Sequence, residues 1–178
     1  MTPGLKQEIQ PPFWGYRLIR RLRSLRRIRG WERFANILAP PNKASPFSIV
    51  NDGVAFEGNI SSFVDRRLYL FGGYEEDVID LFLSLIPSRK RGVILDVGAN
   101  IGTHSLAFAK TFRQVHSFEP NAAVWLSFER NVALNYRANI TLHEIGLADI
   151  PADQDFYSID DSHSVLALFR RFSNISFL

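Results

Sequence analysis

Leu18, Leu22, Leu25 and Ile28 recur at intervals of three and four residues, with arginines filling most positions between them. That spacing lines one face of an α-helix with apolar side chains and leaves a basic remainder. Residues 17–33 are therefore predicted to form a basic amphipathic helix. The run Pro40-Pro41-Asn42-Lys43-Ala44-Ser45-Pro46 then breaks any regular element. It sets a boundary between residues 1–46 and a domain over 47–178. Past it, apolar stretches at 47–50 and 54–57 flank Asn51-Asp52-Gly53. The Asp-Gly pair tolerates the positive φ of a tight turn, which predicts a β-hairpin over 47–58. Tyr69, Phe71 and Gly72-Gly73 read as the approach to another turn. Val78, Ile79, Leu81, Phe82, Leu85 and Ile86 trace the buried face of a helix over 75–86, with acids at its N-terminal end and Pro87 behind it.

From residue 93 onward, short apolar runs alternate with helical patterns. Strands are predicted at 93–97, 114–118 and 140–145, and helices at about 102–111 and 122–135. Strands separated by helices imply βαβ units and a parallel sheet. After Asp149 the pattern weakens: residues 160–164 look like a loop, and 174–178 resemble the start of another apolar element.

A chain of 178 residues fits one domain with a sizeable core. Charge changes the picture more. Arg17, Arg20, Arg21, Arg23, Arg26, Arg27, Arg29 and Arg33 are opposed locally only by Glu32, and they exceed the whole net charge of +3. The basicity thus belongs to one segment, and the remainder is mildly acidic. Such a helix can dock on its own domain, make peripheral contact with an anionic membrane, or track nucleic-acid phosphates. The three rank in that order, because no aromatic-basic interleaving or RNA-binding motif accompanies the arginines. The absence of cysteine excludes disulfides, thiolate metal sites and cysteine nucleophiles. With no apolar run long enough to span a membrane and no secretory signal at the N-terminus, a cytoplasmic setting is expected.

Chemistry concentrates at Asp96-Val97-Gly98-Ala99-Asn100-Ile101-Gly102 and at Phe118-Glu119-Pro120. A nucleotide cofactor binds an open parallel sheet at the carboxyl ends of its strands, where backbone must come close to the ligand. Gly98 and Gly102 suit that turn, Asp96 offers a carboxylate at the strand end, and Asn100 offers an amide. Twenty-one residues after Gly98, Glu119 ends the next strand, where a carboxylate can accept both hydroxyl hydrogens of a ribose. Charged hydrogen bonds of that kind contribute roughly 1.5–3 kcal/mol each. Nicotinamide and flavin folds use Gly-x-Gly-x-x-Gly to admit a pyrophosphate; here Asn100 stands where the second glycine would be. A side chain there suits a ligand that carries an amino acid instead of phosphates, which points to S-adenosylmethionine.

The series Gly73-Tyr74-Glu75, Ile94 to Gly102, Phe118-Glu119-Pro120-Asn121, Asn131-Val132-Ala133-Leu134-Asn135 and Gly146-Leu147-Ala148-Asp149 resembles the FkbM family of S-adenosylmethionine-dependent methyltransferases. The match spans roughly residues 47–160, with order and spacing kept. The resemblance implies an α/β class I methyltransferase fold: a Rossmann-like parallel sheet with helices on both faces, its cofactor half starting near residue 74. It implies that Asp96, Gly98 and Asn100 line the methionine side of the cofactor, that Glu119 holds the ribose, and that Ala99, Gly102 and Pro120 also belong to the cofactor site. It places Asp149 toward the adenine. The implied acceptor is a hydroxyl of a sugar, glycolipid or natural product, with no metal. The family continues into a Lys-Ile-Asp-Val-Glu-Gly-like strand, and this sequence stops at Leu178 before it. The sheet is accordingly expected to be incomplete at its C-terminal side. An inactive or cofactor-binding-only remnant is the alternative to an active enzyme.

Transfer of a methyl group to a hydroxyl rests on positioning and on a base that takes the hydroxyl proton. Histidine is the side chain suited to that work near neutrality. Among the histidines, 116 and 143 fall within predicted strands, 104 lies close to the glycine turn, and 163 lies in the last loop. None has a motif behind it, so the sequence names no catalytic residue.

Overall fold

The structure, a computed structural model, describes residues 9–11, 13–40 and 44–149. The features expected at 160–164 and 174–178, and His163, lie outside the described residues. In chain order come helices α1 (Trp14–Arg21) and α2 (Trp31–Leu38), strands β1 (Pro46–Asn51) and β2 (Val54–Asn59), and helices α3 (Phe63–Phe71) and α4 (Glu76–Leu85). Then follow β3 (Val93–Val97), α5 (Thr103–Phe108), β4 (Gln114–Phe118), α6 (Ala122–Leu134) and β5 (Ile140–His143).

The single helix expected over 17–33 is not formed. Its centre tightens into a 3₁₀ turn, Arg23–Arg27, and the backbone reopens at Ile28 before Gly30, at φ +88°, starts α2. Arginines spaced three and four apart repel along a continuous helix, which weakens it where they are densest. The docked face also differs from the expected stripe. Tyr16, Ile19, Trp31 and Ala35 are buried, whereas Leu18, Leu25 and Ile28 are exposed. Nor are all the arginines solvated. Arg20 donates to the Tyr69 carbonyl at 3.0 Å and to Asn51 Oδ1 at 3.1 Å. Arg23 donates to the same Asn51 oxygen, and Arg26 to the Phe71 carbonyl at 2.7 Å. Cations thus satisfy carbonyls in the last turn of α3, where the helix dipole favours them.

β1 and β2 form the expected antiparallel hairpin, with Asp52 and Gly53 both at positive φ in the turn. α3 is unexpected from its Phe-, Val- and Tyr-rich sequence. Ser62 caps it by accepting from the Asp65 amide, and Gly72, at φ +97°, ends it. The helices α1, α2 and α3 and the hairpin share one core, which reaches Ile101 and Leu106 beside the glycine turn.

β3, β4 and β5 lie side by side in that order, all parallel, with α5 and α6 as the crossovers: a Rossmann-like α/β unit. Ile94 and Val115 occupy one sheet face and pack with Ile79 of α4 and Phe108 of α5. Val93, Leu95 and Val97 point to the other face and are exposed among the described residues. No helix among the described residues is long and apolar enough to cross a membrane.

The outer edge of β2 is closed by α6. Asn135 Oδ1 accepts from the Ala55 amide at 2.8 Å while its Nδ2 donates to the Ala55 carbonyl at 2.7 Å. One helical turn earlier, Asn131 Oδ1 accepts from the Glu57 amide at 3.0 Å, and its Nδ2 donates to the Ile101 carbonyl at 3.0 Å. Two asparagines therefore protect an otherwise bare strand edge and hold the glycine turn against it.

Replacing Asn135 with alanine strands both backbone groups of the fully buried Ala55. Each orphaned group costs about 1–3 kcal/mol, so Asn135→Ala is expected to lower unfolding free energy by roughly 2–5 kcal/mol. Urea denaturation measures this against Glu129→Ala, an exposed change on the same helix expected to stay within about 0.5 kcal/mol. Asp65 adds a pH dependence, because burial pushes its carboxyl up to about 6 despite the Asn59 amide it accepts. A raised acid pKa favours the folded state at low pH, and that contribution is lost as pH rises through about 6. Wild type should therefore lose roughly 3 kcal/mol from this group between acid and neutral pH, and Asp65→Asn should flatten the profile.

Candidate functional site

The β3–β4 ladder ends on the amide of Gly98, and the amide after it turns to share the same acceptor. Gly98 and Ala99 both donate to the carbonyl of Phe118, the last residue of β4, at 2.9 and 3.1 Å. The chain then passes through three positive-φ residues, Gly98 at +82°, Asn100 at +49° and Gly102 at +88°. Asparagine is among the few side chains that accept that region readily. The two glycines are needed for different reasons. A side chain at Gly98 would meet no atom within 4 Å, so only its φ demands glycine and the space beside it is open. A side chain at Gly102 would lie 3.1 Å from the buried ring of Phe128, so α6 could not approach as it does.

Glu119 is the hub of this turn. Its Oε2 accepts from the Asn100 amide at 2.8 Å and its Oε1 from the Asn121 amide at 2.8 Å. Its carbonyl accepts from the indole of Trp125 at 2.7 Å, and its amide donates to the His143 carbonyl, so neither end can swing. Each carboxylate oxygen keeps lone-pair capacity after one backbone bond. Burial pushes the Glu119 pKa up, the two amides pull it back, and the Asp96 charge adds to the rise. Asn100 reaches Glu119 through its backbone, a role the sequence did not suggest.

Asp96 sits at the end of β3 but is buried, its Oδ2 accepting from Ser105 Oγ of α5. Ser105 in turn contacts Ser117 Oγ on β4 at 2.7 Å. Burial raises the Asp96 pKa, while the Ser105 hydroxyl and the nearby His104 oppose the rise. Ala99 is buried and Pro120 is half-buried. Asp149 lies in an exposed bend beyond β5. The turn and Glu119 are thus in direct contact, and Asp96 lies near enough for its charge to act on Glu119.

A second group gathers around His104, at the start of α5. Tyr74 and Glu75 precede α4, with Glu75 held at φ +57°. The Tyr74 ring stacks near His104, at 6.3 Å between centroids, and Glu75 Oε2 lies 3.5 Å from His104 Nε2. That nitrogen is buried and makes no hydrogen bond. A non-glycine residue forced to positive φ carries local strain, and such residues gather at functional positions. Tyr74 and Glu75 of the Gly73-Tyr74-Glu75 motif are thus both in contact with His104. Behind them opens a cleft of about 530 Å³ lined by Arg26, Glu32, Phe63, Arg67, Tyr74 and Glu75, among others. The strand histidines pair instead on the open sheet face, with His116 Nδ1 and His143 Nε2 3.0 Å apart. Burial, then the His116 charge, lowers the His143 pKa.

No family model matches the chain. A curated protein of Beauveria bassiana (strain ARSEF 2860), Methyltransferase 1, is 30% identical over 76 residues, which cover 42% of this chain. The chain spans 30% of that relative's length. Among solved structures, a SAM-dependent methyltransferase from Agrobacterium tumefaciens is 18% identical, with a TM-score of 0.40 over 59% of this chain and 33% of its own. A tRNA methyltransferase of M. jannaschii is 15% identical, with a TM-score of 0.40 over 62% of this chain and 35% of its own. TYW2 of P. horikoshii, in complex with MeSAdo, is 14% identical, with a TM-score of 0.45 over 85% of this chain and 59% of its own. Likenesses of this extent assign no activity by themselves.

The two glycines should separate on substitution. Gly98→Ala carries only the cost of positive φ, roughly 1–2 kcal/mol. Gly102→Ala carries that cost and the collision with Phe128, and should destabilise by roughly a further 1–3 kcal/mol. Equal losses in thermal or urea unfolding would mean that α6 does not press on the turn.

Proposed function

We propose that this chain binds S-adenosylmethionine at the Asp96–Gly102 turn and belongs to a methyltransferase acting on a hydroxyl of a sugar, glycolipid or natural product. The observation that carries this reading is the Glu119 carboxylate. Both its oxygens are fixed by backbone amides at the carboxyl edge of a parallel sheet, and both retain acceptor capacity suited to a vicinal diol. The open space over Gly98 and the left-handed Asn100 fit a ligand with an amino-acid portion and no pyrophosphate. The family-like motif series supports FkbM as the relevant family, and hence the hydroxyl acceptor.

When bound, S-adenosylmethionine supplies a methyl group activated on a sulfonium. The protein's own part is to orient and to move a proton. Glu119 and Asn100 set the position of the ribose side. Tyr74 and Glu75 hold the imidazole of His104 at the opposite rim, two residues after Gly102, where its buried Nε2 lacks a hydrogen-bond partner. His104 is the group we assign to receive the acceptor's proton at Nδ1, with Glu75 beside the buried Nε2 steadying the resulting cation. The cleft beyond Tyr74 offers aromatic rings and carboxylates to a polyhydroxylated acceptor.

Calorimetry should show binding of S-adenosylmethionine and no competition by NAD; preferential NAD binding would overturn the cofactor assignment. Glu119→Ala should weaken cofactor binding more than tenfold, since charged hydrogen bonds are each worth roughly 1.5–3 kcal/mol. With labelled cofactor and a panel of glycan acceptors, His104→Ala should lower kcat about 100-fold or more while cofactor affinity stays within about threefold. Methyl transfer to tRNA in place of the hydroxyl acceptors would replace the acceptor class.

A further inference from the structure

The arm formed by α1, the 3₁₀ turn and α2 has two dressed faces. Gly15, Tyr16 and Ile19 turn one side of α1 into the core. On the opposite side Trp14, Arg17, Leu18 and Arg21 are all exposed, Trp14 at 56%. At about 100° per residue these four fall within an arc of roughly 100°. Past α1, Leu25 and Ile28 are exposed, the latter at 58%, and on α2 Phe34 and Ile37 are exposed, the latter at 76%. Exposed Arg29 and Arg33 interrupt them. Beside the α1 face, Arg17, Arg20, Arg21 and Arg23 surround a concavity of about 550 Å³ together with Gln10. Arg23 is already aimed by its bond to Asn51, and a planar guanidinium matches the geometry of an oxyanion.

We propose that this outer face is a docking surface for an anionic phospholipid bilayer. Trp14 and Leu18 would enter the boundary between headgroups and acyl chains, and the arginine concavity would take a headgroup phosphate. Two features together select the occupant. The clustered arginines call for an anionic partner. The exposed Trp14, Leu18, Leu25, Ile28 and Ile37 gain burial from a bilayer interface and gain nothing from a nucleic-acid backbone, whose contacts are to phosphate and sugar. The inner face accounts for docking on the domain, while Leu25, Ile28 and Ile37 stay exposed among the described residues. This surface is independent of the cofactor reading.

Co-sedimentation of the full chain with vesicles tests it. Vesicles of phosphatidylcholine with about one-third phosphatidylserine should bind the protein, vesicles of phosphatidylcholine alone should not, and added salt should release it. Arg17→Gln with Arg21→Gln should weaken binding on the order of 30-fold at low salt. Trp14→Ala with Leu18→Ala should also weaken it, and because both residues are exposed the melting temperature should hold. No binding to the anionic vesicles would overturn the proposal, as would equal binding to both kinds. Capture of single-stranded RNA without any vesicle binding would overturn it in favour of a nucleic-acid surface.

Discussion

The carbonyl of Phe118 governs the carboxyl edge of this sheet. It accepts from Gly98 in the last rung of the β3–β4 ladder and from Ala99 as well, and this shared bond folds the chain across the end of β4. The next residue, Glu119, is thereby placed under the turn and takes the amide of Asn100. Turn and carboxylate therefore define one another. A backbone that must satisfy its own donors has produced a fixed acceptor pair at the position where open parallel sheets bind ligands.

Around this junction the rest of the chain acts as a frame. α6 holds the turn from one side through Asn131 and Phe128, and the hairpin holds α6 through the backbone of Ala55 and Glu57. On the far side Tyr74 and Glu75 lean on His104. The N-terminal arm supports that side in turn: Arg26 bonds the Phe71 carbonyl and pairs with Glu76 at 2.6 Å, so the loop 72–75 runs between tethered ends.

The elements legible in the sequence are those whose signal is local. The Asp52-Gly53 hairpin, the 93–97 and 114–118 strands, and the helices near 76–85 and 122–134 follow from turn chemistry and apolar spacing, and they differ from expectation only by a residue or two at their ends. The glycine turn and Glu119 were legible for the same reason. What escaped depends on distant partners. Phe63–Phe71 has the composition of a strand, yet Ser62 and Gly72 cap it and its sides are buried by the arm, so it is helical. The arm shows an apolar stripe at helical spacing, but tertiary docking selected Tyr16 and Ile19 instead. Asp96 could be placed at a strand end. Its burial under Ser105 follows from the pleat, which puts it on the same face as Ile94.

The contact between α6 and β2 is a matter of matched rulers. Asn131 and Asn135 are four residues apart, about 6 Å along a helix axis, and Glu57 and Ala55 are two residues apart, about 6.6 Å along a strand. The two repeats nearly coincide, so a helix can read the free edge of a strand much as a neighbouring strand would, with side-chain amides in place of peptide groups. Such a match tolerates no slippage: moving α6 by one residue would rotate both amides away from the edge. The length of the connection between the hairpin and the parallel sheet is free to vary, but the register between them is not.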